Sequence, residues 1–347
     1  MILLVLGGLA ALVAGAELLV RGASRLAIAL GLAPLVVGLT VVAYGTSAPE
    51  MAVSLGAALS EKGDLALGNA VGSNIFNVLA ILGISALARP LLVGLSVIKR
   101  DVPVMIGSAL LLWILALDGR LGRVDGVVLF ALAVLYTWIT VRFGSRASET
   151  SDARPPVPPG RLGVSLVLVL LGLALLVIGA RWLVQGATDL AKTLGLSELI
   201  IGLTIVAAGT SLPEAATSIV ATLRNQRDIA VGNIVGSNIF NVLAILGAAA
   251  IAAPRGIPVP EAAWNLDLPM AIAVAVACLP IFFSGGRISR PEGAFFLLCY
   301  VLYVGVLVRS HPLSPSGLVV ALLLALVGLV PPIWFGVEKL RRRGATR

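Results

Sequence analysis

The stretch Gly72-Ser73-Asn74-Ile75-Phe76-Asn77-Val78-Leu79-Ala80-Ile81-Leu82-Gly83 recurs letter for letter from Gly236 through Gly247. Working outward at a constant offset of 164, residues 31–88 align with 195–252 without a gap, and 36 of the 58 positions are identical. A second dense block comprises Gly38-Leu39-Thr40, Ala43, Gly45-Thr46-Ser47 and Pro49-Glu50. Its copy is Gly202-Leu203-Thr204, Ala207, Gly209-Thr210-Ser211 and Pro213-Glu214. Fainter echoes set Asp101-Val102-Pro103 against Asp267-Leu268-Pro269, and Gly119-Arg120 against Gly286-Arg287. The chain is one unit written twice.

The unit is a membrane unit. Of 347 residues, 59% are apolar and 12% charged, with a mean hydropathy of +1.06, whereas a soluble domain carries about 25% charged residues. Apolar runs of about 20 residues recur from end to end, as bilayer-spanning helices require. A soluble enzyme, a nucleic-acid binder and a disordered chain are excluded. The net charge of +8 reads as a record of membrane topology. Cys278 and Cys299 are the only cysteines and His311 the only histidine, so zinc, copper and iron chemistry has few ligands and no cofactor is expected.

Eleven spans are predicted, at 2–20, 32–59, 66–88, 102–117, 125–142, 162–184, 196–223, 229–252, 268–284, 292–309 and 316–337. The N-terminus has no basic leader region, so a cleaved signal peptide is not expected. The Pro- and Ser-rich stretch around 146–160 reads as a linker between a first half, 1–145, and a second, 161–310. Residues 311–347 add an extra span and a basic tail. With the N-terminus outside, cytoplasmic segments hold 18 of the 25 basic residues, Arg21 and Arg25 among them, as the positive-inside rule favours. The C-terminal tail is then cytoplasmic. Each half holds five spans, and an odd number turns the second half upside down. The expected fold is an all-α integral membrane protein built as an inverted 5+5 repeat, an architecture of alternating-access transporters with a site near the midplane.

Glu50 and Glu214 lie about 18 residues into their spans. A carboxylate at that depth costs roughly 2.5–3.5 kcal/mol and needs a cationic partner or a proton. No Lys or Arg lies in either block, which leaves a mobile cation as the candidate. Pro49 and Pro213 should bend their helices and release the carbonyls of Gly45 and Gly209. Thr46 and Thr210 precede the glutamates by four residues, on one helix face. Asn69, Ser73 and Asn77 form an i, i+4, i+8 stripe, copied by Asn233, Ser237 and Asn241. Oxygen donors without nitrogen or sulfur suit a hard cation such as Ca²⁺ or Na⁺. For Asn69, Asn74, Asn233 and Asn238, helix–helix glue and cation ligand are equally good readings. Gly68, Gly72, Gly232 and Gly236 read as close-packing positions, and Glu17, Asp64, Asp189 and Asp228 as solvated span ends.

At these blocks the sequence resembles the cation/calcium exchanger superfamily, in particular prokaryotic sodium/calcium antiporters with their two α-repeats. The resemblance covers residues 1 to about 310. It implies an antiporter that exchanges Ca²⁺ for Na⁺ across a prokaryotic cytoplasmic membrane, with Glu50 and Glu214 ligating both ions. It also implies Na⁺ ligands at Ala43 (backbone oxygen), Thr46, Ser47, Ser73 and Asn77, with Ala207, Thr210, Ser211, Ser237 and Asn241. Asn241 stands where potassium-dependent relatives have Asp, which argues against K⁺ dependence. A proton/calcium exchanger is the nearest alternative, since a buried Glu can take a proton; a cation channel is a further one. An intramembrane hydrolase using Ser47 or Ser211 lacks a base in either motif. Ca²⁺, Na⁺ and the lipid bilayer are the partners implied; neither nucleic acid nor an obligatory protein partner is.

Overall fold

The computed structural model describes residues 2–144, 161–193, 207–283 and 286–310. The predicted linker, the start of the seventh span, His311 and the extra C-terminal span lie outside the described residues. In chain order the first half comprises α1 (Ile2–Leu30), α2 (Pro34–Thr46), α3 (Ala48–Leu59), α4 (Gly63–Ala88), α5 (Val97–Asp118) and α6 (Arg123–Phe143). The second half comprises α7 (Arg161–Thr193), α8 (Leu212–Leu223), α9 (Arg227–Ala252), α10 (Ala263–Phe282) and α11 (Arg290–Ser310). Among the described residues eight helices are long and apolar enough to span a membrane, and the bent pair α2/α3 makes a ninth. Helix α8, with the short turn Ala207–Gly209 before it, is the described part of the predicted seventh span.

The inversion is visible in which loops meet. Two-residue strands β1 (Leu91–Leu92) and β4 (Arg287–Ile288) pair antiparallel, joining the loops after the third and ninth spans. Strands β2 (Arg120–Leu121) and β3 (Ile257–Pro258) do the same for the loops after the fourth and eighth. Each pair therefore joins one half's loop to a loop of different rank in the other. Upright copies would have brought β1 beside β3. The bond from Arg290 Nε to Leu87 O follows the first pairing, and the ion pair Glu61–Arg255, at 3.8 Å, adds the loop after the second span to the side that holds the loops after the fourth and eighth.

Helices α1 and α7, equivalent in the two halves, cross antiparallel along a seam of glycines spaced two turns apart. A Cβ on Gly8 would sit 2.6 Å from Leu183 N, one on Gly15 2.8 Å from Gly172 O, and one on Gly179 2.7 Å from Leu12 N. Only glycine lets two backbones approach this closely, and small-residue seams are how helices associate where lipid is as apolar as leucine. Gly232 and Gly236 pack in the same way against Leu35 and Leu39. The equivalent neighbours of Gly68 and Gly72, residues 199 and 203, lie outside the described residues.

Helices α5 and α10 begin five residues before the expected 102 and 268, and two span ends fall nine or ten residues beyond the sequence expectation. Helix α1 runs to Leu30, not residue 20, so Arg21 and Arg25 belong to the helix rather than to a loop. Helix α7 likewise runs to Thr193. Twenty-nine residues make about 44 Å of helix, longer than the ~30 Å hydrocarbon core, so charges near one end reach the interface without ending the helix. Glu17 ties to Arg21 one turn on and to Arg224 at 2.6 Å, beyond the end of α8. It is a bridge between helices, not a solvated span end.

The most enclosed helices are α4 and α9, 83% buried over their most apolar windows, whereas α6 and α7 are 28% buried. These two equivalent helices carry the repeated twelve-residue block. Both widen into a π-helical turn, Asn77–Leu82 and Asn241–Leu246, a feature frequent at functional sites.

Candidate cation-binding site

The proline bends behave as expected in direction but not in consequence. Ser47 leaves the helical region (φ −82°, ψ 8°), and α2 and α3 meet at 47° with Pro49 in the first turn of α3. Ser211 adopts the same conformation before Pro213. The cap N–H groups reach back to Ala43 O and Gly45 O, so the carbonyl that Pro49 leaves is bonded again locally. Ala43 O, a candidate ligand, accepts from Ser47 N at 3.0 Å and from Thr46 Oγ1 at 3.4 Å. Ala207 heads the short turn Ala207–Gly209.

Because the chain breaks at Ser47, Thr46 and Glu50 do not share a continuous helix face. Each first-motif hydroxyl instead crosses to the opposite half. Ser47 Oγ donates to Glu214 Oε1 at 2.7 Å and lies 3.0 Å from Ser237 Oγ. Ser211 Oγ donates to Glu50 Oε1 at 3.0 Å and lies 3.0 Å from Ser73 Oγ. Thr46 Oγ1 donates to Asn233 Oδ1 at 3.1 Å, and Thr210 Oγ1 to Asn69 Oδ1 at 3.2 Å. The two sets map onto each other by the offset of 164.

Asn69 and Asn233 are fully engaged. Asn69 Nδ2 donates to Glu50 O and Ser54 Oγ, and Asn233 Nδ2 to Glu214 O and Ser218 Oγ. Glue is therefore the reading that fits them. Ser54 and Ser218 escaped the sequence reading, although they align at the same offset four residues beyond each glutamate. Asn74 and Asn238 also bridge the halves: Asn77 Nδ2 donates to Asn238 Oδ1 at 3.0 Å and Asn241 Nδ2 to Asn74 Oδ1 at 2.9 Å.

The structure thus joins Ser47 to Glu214 and Ser237, and Ser211 to Glu50 and Ser73, in a hydrogen-bonded cluster across the halves, and sets Asn77 and Asn241 one turn beyond Ser73 and Ser237 on α4 and α9; each of the eight is no more than 4% exposed. Thr46 is buried and Thr210 half-buried at its flanks. Four buried oxygens of these residues have no hydrogen-bond partner among the described residues: Glu50 Oε2, Glu214 Oε2, Asn77 Oδ1 and Asn241 Oδ1. All four are acceptors, and they form two symmetry-related pairs. A buried acceptor left bare costs about 1–3 kcal/mol, more when charged. No ion pair reaches either glutamate among the described residues. Such a set is complementary to a desolvated cation with oxygen preference.

Two inverted five-helix halves enclosing buried carboxylates near their mutual axis define the class: a secondary transporter for small cations. The sodium/calcium exchanger protein family model matches residues 1–142 and 164–309, and the chain belongs to that family. It is 41% identical over 280 residues to inner membrane protein YrbG of Escherichia coli (strain K12), covering 79% of this chain and 86% of that one. It is 31% identical over 343 residues to sodium/calcium exchanger MaX1 of Methanosarcina acetivorans, covering 88% and 97%. The sodium-calcium exchanger NCX_Mj, soaked with 2.5 mM Na⁺ and 0.1 mM Sr²⁺, superposes with a TM-score of 0.76 at 32% identity, covering 88% of this chain and 98% of that one. The family is one of transporters, and the protein is a membrane antiporter for cations including Ca²⁺.

Proposed function

We propose that the protein exchanges Ca²⁺ for Na⁺, extruding Ca²⁺ from a prokaryotic cytoplasm as Na⁺ enters, and that the four bare acceptor oxygens and their neighbours are the shared site. The observation that carries this reading is the orphaned set Glu50 Oε2, Glu214 Oε2, Asn77 Oδ1 and Asn241 Oδ1. Two carboxylates balance one Ca²⁺ or two Na⁺, so the same oxygens serve both ions in turn. Competition for them makes the process exchange rather than co-transport. Thr46, Ser47 and Ser73, with Thr210, Ser211 and Ser237, are assigned to flanking Na⁺ positions, together with the Ala43 and Ala207 carbonyls. The symmetry of the hydroxyl network supports two equivalent flanks. Hydroxyl and amide ligands suit Na⁺ better than a proton, which needs one lone pair and no shell.

The organisation follows from the same reading. Residues 1–145 and 161–310 are the two halves and 146–160 a cytoplasmic linker; 311–347 add a span and a cytoplasmic tail, with the N-terminus outside. Radiolabelled Ca²⁺ uptake into proteoliposomes preloaded with Na⁺, with K⁺, or carrying only a pH gradient tests the coupling ion. Uptake driven by Na⁺ and indifferent to K⁺ is expected. Full uptake on a pH gradient alone, unaffected by Na⁺, would establish the proton-coupled alternative.

A further inference from the structure

Asn74 and Asn238 sit three residues before Asn77 and Asn241, one turn away on α4 and α9. Asn74 Nδ2 donates to the backbone carbonyl of Asn238 at 3.0 Å. A carbonyl can only accept, so this bond fixes which way the Asn74 amide faces. Its Oδ1 is then turned toward Asn241, whose Nδ2 meets it at 2.9 Å. That contact in turn fixes Asn241, and its Oδ1 is left bare and buried. The mirrored branch runs from Asn238 Nδ2, placed 3.5 Å from Met105 Sδ, through Asn238 Oδ1 to Asn77 Nδ2 at 3.0 Å. It leaves Asn77 Oδ1 bare. An asparagine can present either a donor or an acceptor to an empty quarter, and a cation tolerates only the acceptor. Each branch removes that choice.

We propose that Asn74 and Asn238 are positioning residues that lock the amides of Asn241 and Asn77 with their oxygens toward the cation, each half of the protein orienting a ligand of the other. The inference rests on the site assignment above and deepens it: no charge and no direct ligand comes from Asn74 or Asn238, yet both set how well the site holds either ion. The branches differ in firmness. That of Asn241 ends on a backbone carbonyl, a strong acceptor, while that of Asn77 ends on a thioether, a weak one. Asn241 is the rigid ligand and Asn77 the adaptable one.

The test uses the full chain, purified in detergent and reconstituted, with Asn238→Leu, Asn238→Ser and Asn238→Asp. Leu removes the acceptor that Asn77 faces. Ser is smaller than Asn, retains polarity and falls short of Asn77, so it repeats the test where Leu is refused for shape. Asp keeps the acceptor and gives up the sulfur contact, at the cost of a carboxyl that adds charge when ionised. Half-saturating Ca²⁺ and Na⁺ are read both from transport and from ion-dependent thermal stabilisation, alongside the maximal rate. Leu and Ser are expected to raise the half-saturating concentration of both ions about tenfold with the maximal rate within about threefold of wild type, and Asp to restore both ions. Unchanged affinities in Leu and Ser would overturn the proposal. So would equal impairment of all three variants, which reports packing, or an Asp variant that gains for Ca²⁺ while Na⁺ stays impaired, which reports added charge. Glu50→Gln in the same assay separates the two levels. If it still binds Ca²⁺ normally, the site assignment itself fails; if it does not bind while Asn238→Leu is unaffected, only the positioning role falls.

Discussion

Replacing Glu50 by Gln changes one atom's chemistry in a side chain that is 1% exposed. The variant keeps an acceptor for Ser211 Oγ, now 3.0 Å from Oε1, and keeps the volume of the site. It removes one of two negative charges from the oxygens expected to hold a divalent ion. At a Ca²⁺–oxygen distance of about 2.4 Å and an effective dielectric constant of about 20, one charge contributes roughly 14 kcal/mol of attraction to a divalent ion and about 7 to Na⁺. Part of this is offset in the wild type by the cost of holding a bare carboxylate in the bilayer, about 3 kcal/mol. The surplus for Ca²⁺ is several times the 1.4 kcal/mol that makes a tenfold change in affinity. Ca²⁺ transport is therefore expected to vanish, with the loss for Ca²⁺ exceeding that for Na⁺. The folded protein should survive, because relief of the uncompensated charge offsets the weaker bond to Ser211. The assay is Ca²⁺ uptake by Na⁺-loaded proteoliposomes, with size-exclusion profile and melting temperature of the detergent-purified protein as controls. Half-saturating Ca²⁺ within a few-fold of wild type, in this variant and in Glu214→Gln, would refute the electrostatic reasoning.

Ser47→Ala and Ser211→Ala each remove a hydroxyl bonded to the opposite half's glutamate, a charge-assisted contact of about 1.5–3 kcal/mol. Both should raise half-saturating Ca²⁺ at least tenfold and by similar factors, and a large effect in only one would deny the functional equivalence of the halves. Gly179→Leu places a Cβ 2.7 Å from Leu12 N on the α1–α7 seam; a melting temperature several degrees lower is expected in detergent, whereas Gly305→Leu, with open space around it among the described residues, should melt like wild type. For topology, Lys62→Cys and its repeat-equivalent Gln226→Cys, in a background lacking Cys278 and Cys299, should react with an impermeant maleimide from opposite faces. Lys62→Cys is expected to label in intact cells and Gln226→Cys only after the membrane is opened; the reverse pattern would invert the assigned orientation.

Much of the fold was legible because membranes restrict what a chain can do. Backbone groups in lipid must be satisfied within the segment, so apolar runs read directly as helices, and an odd number of them per repeat forces the inversion. Where charges lie near a helix end the reading fails. Arg21 and Arg25 looked like a boundary, yet α1 continues past them, since a long basic side chain can reach the interface from within a helix. The π-helical turns at Asn77 and Asn241 left no mark that spacing could reveal.

Sequence alone determined the duplication, the burial of Glu50 and Glu214 far from any basic residue in their blocks, and an oxygen-only chemistry, because residue type and offset are properties of one strand of text. Tertiary structure decided which oxygens meet. Spacing along a helix paired Thr46 with Glu50, but the bend at Ser47 separates them, and the crossing of inverted halves gives Ser47 to Glu214, Thr46 to Asn233 and Asn77 to Asn238. Those partners are 161 to 187 residues apart in the chain. Helical periodicity reports neighbours within a turn or two, and it carries no information about which face of a distant helix will close over them.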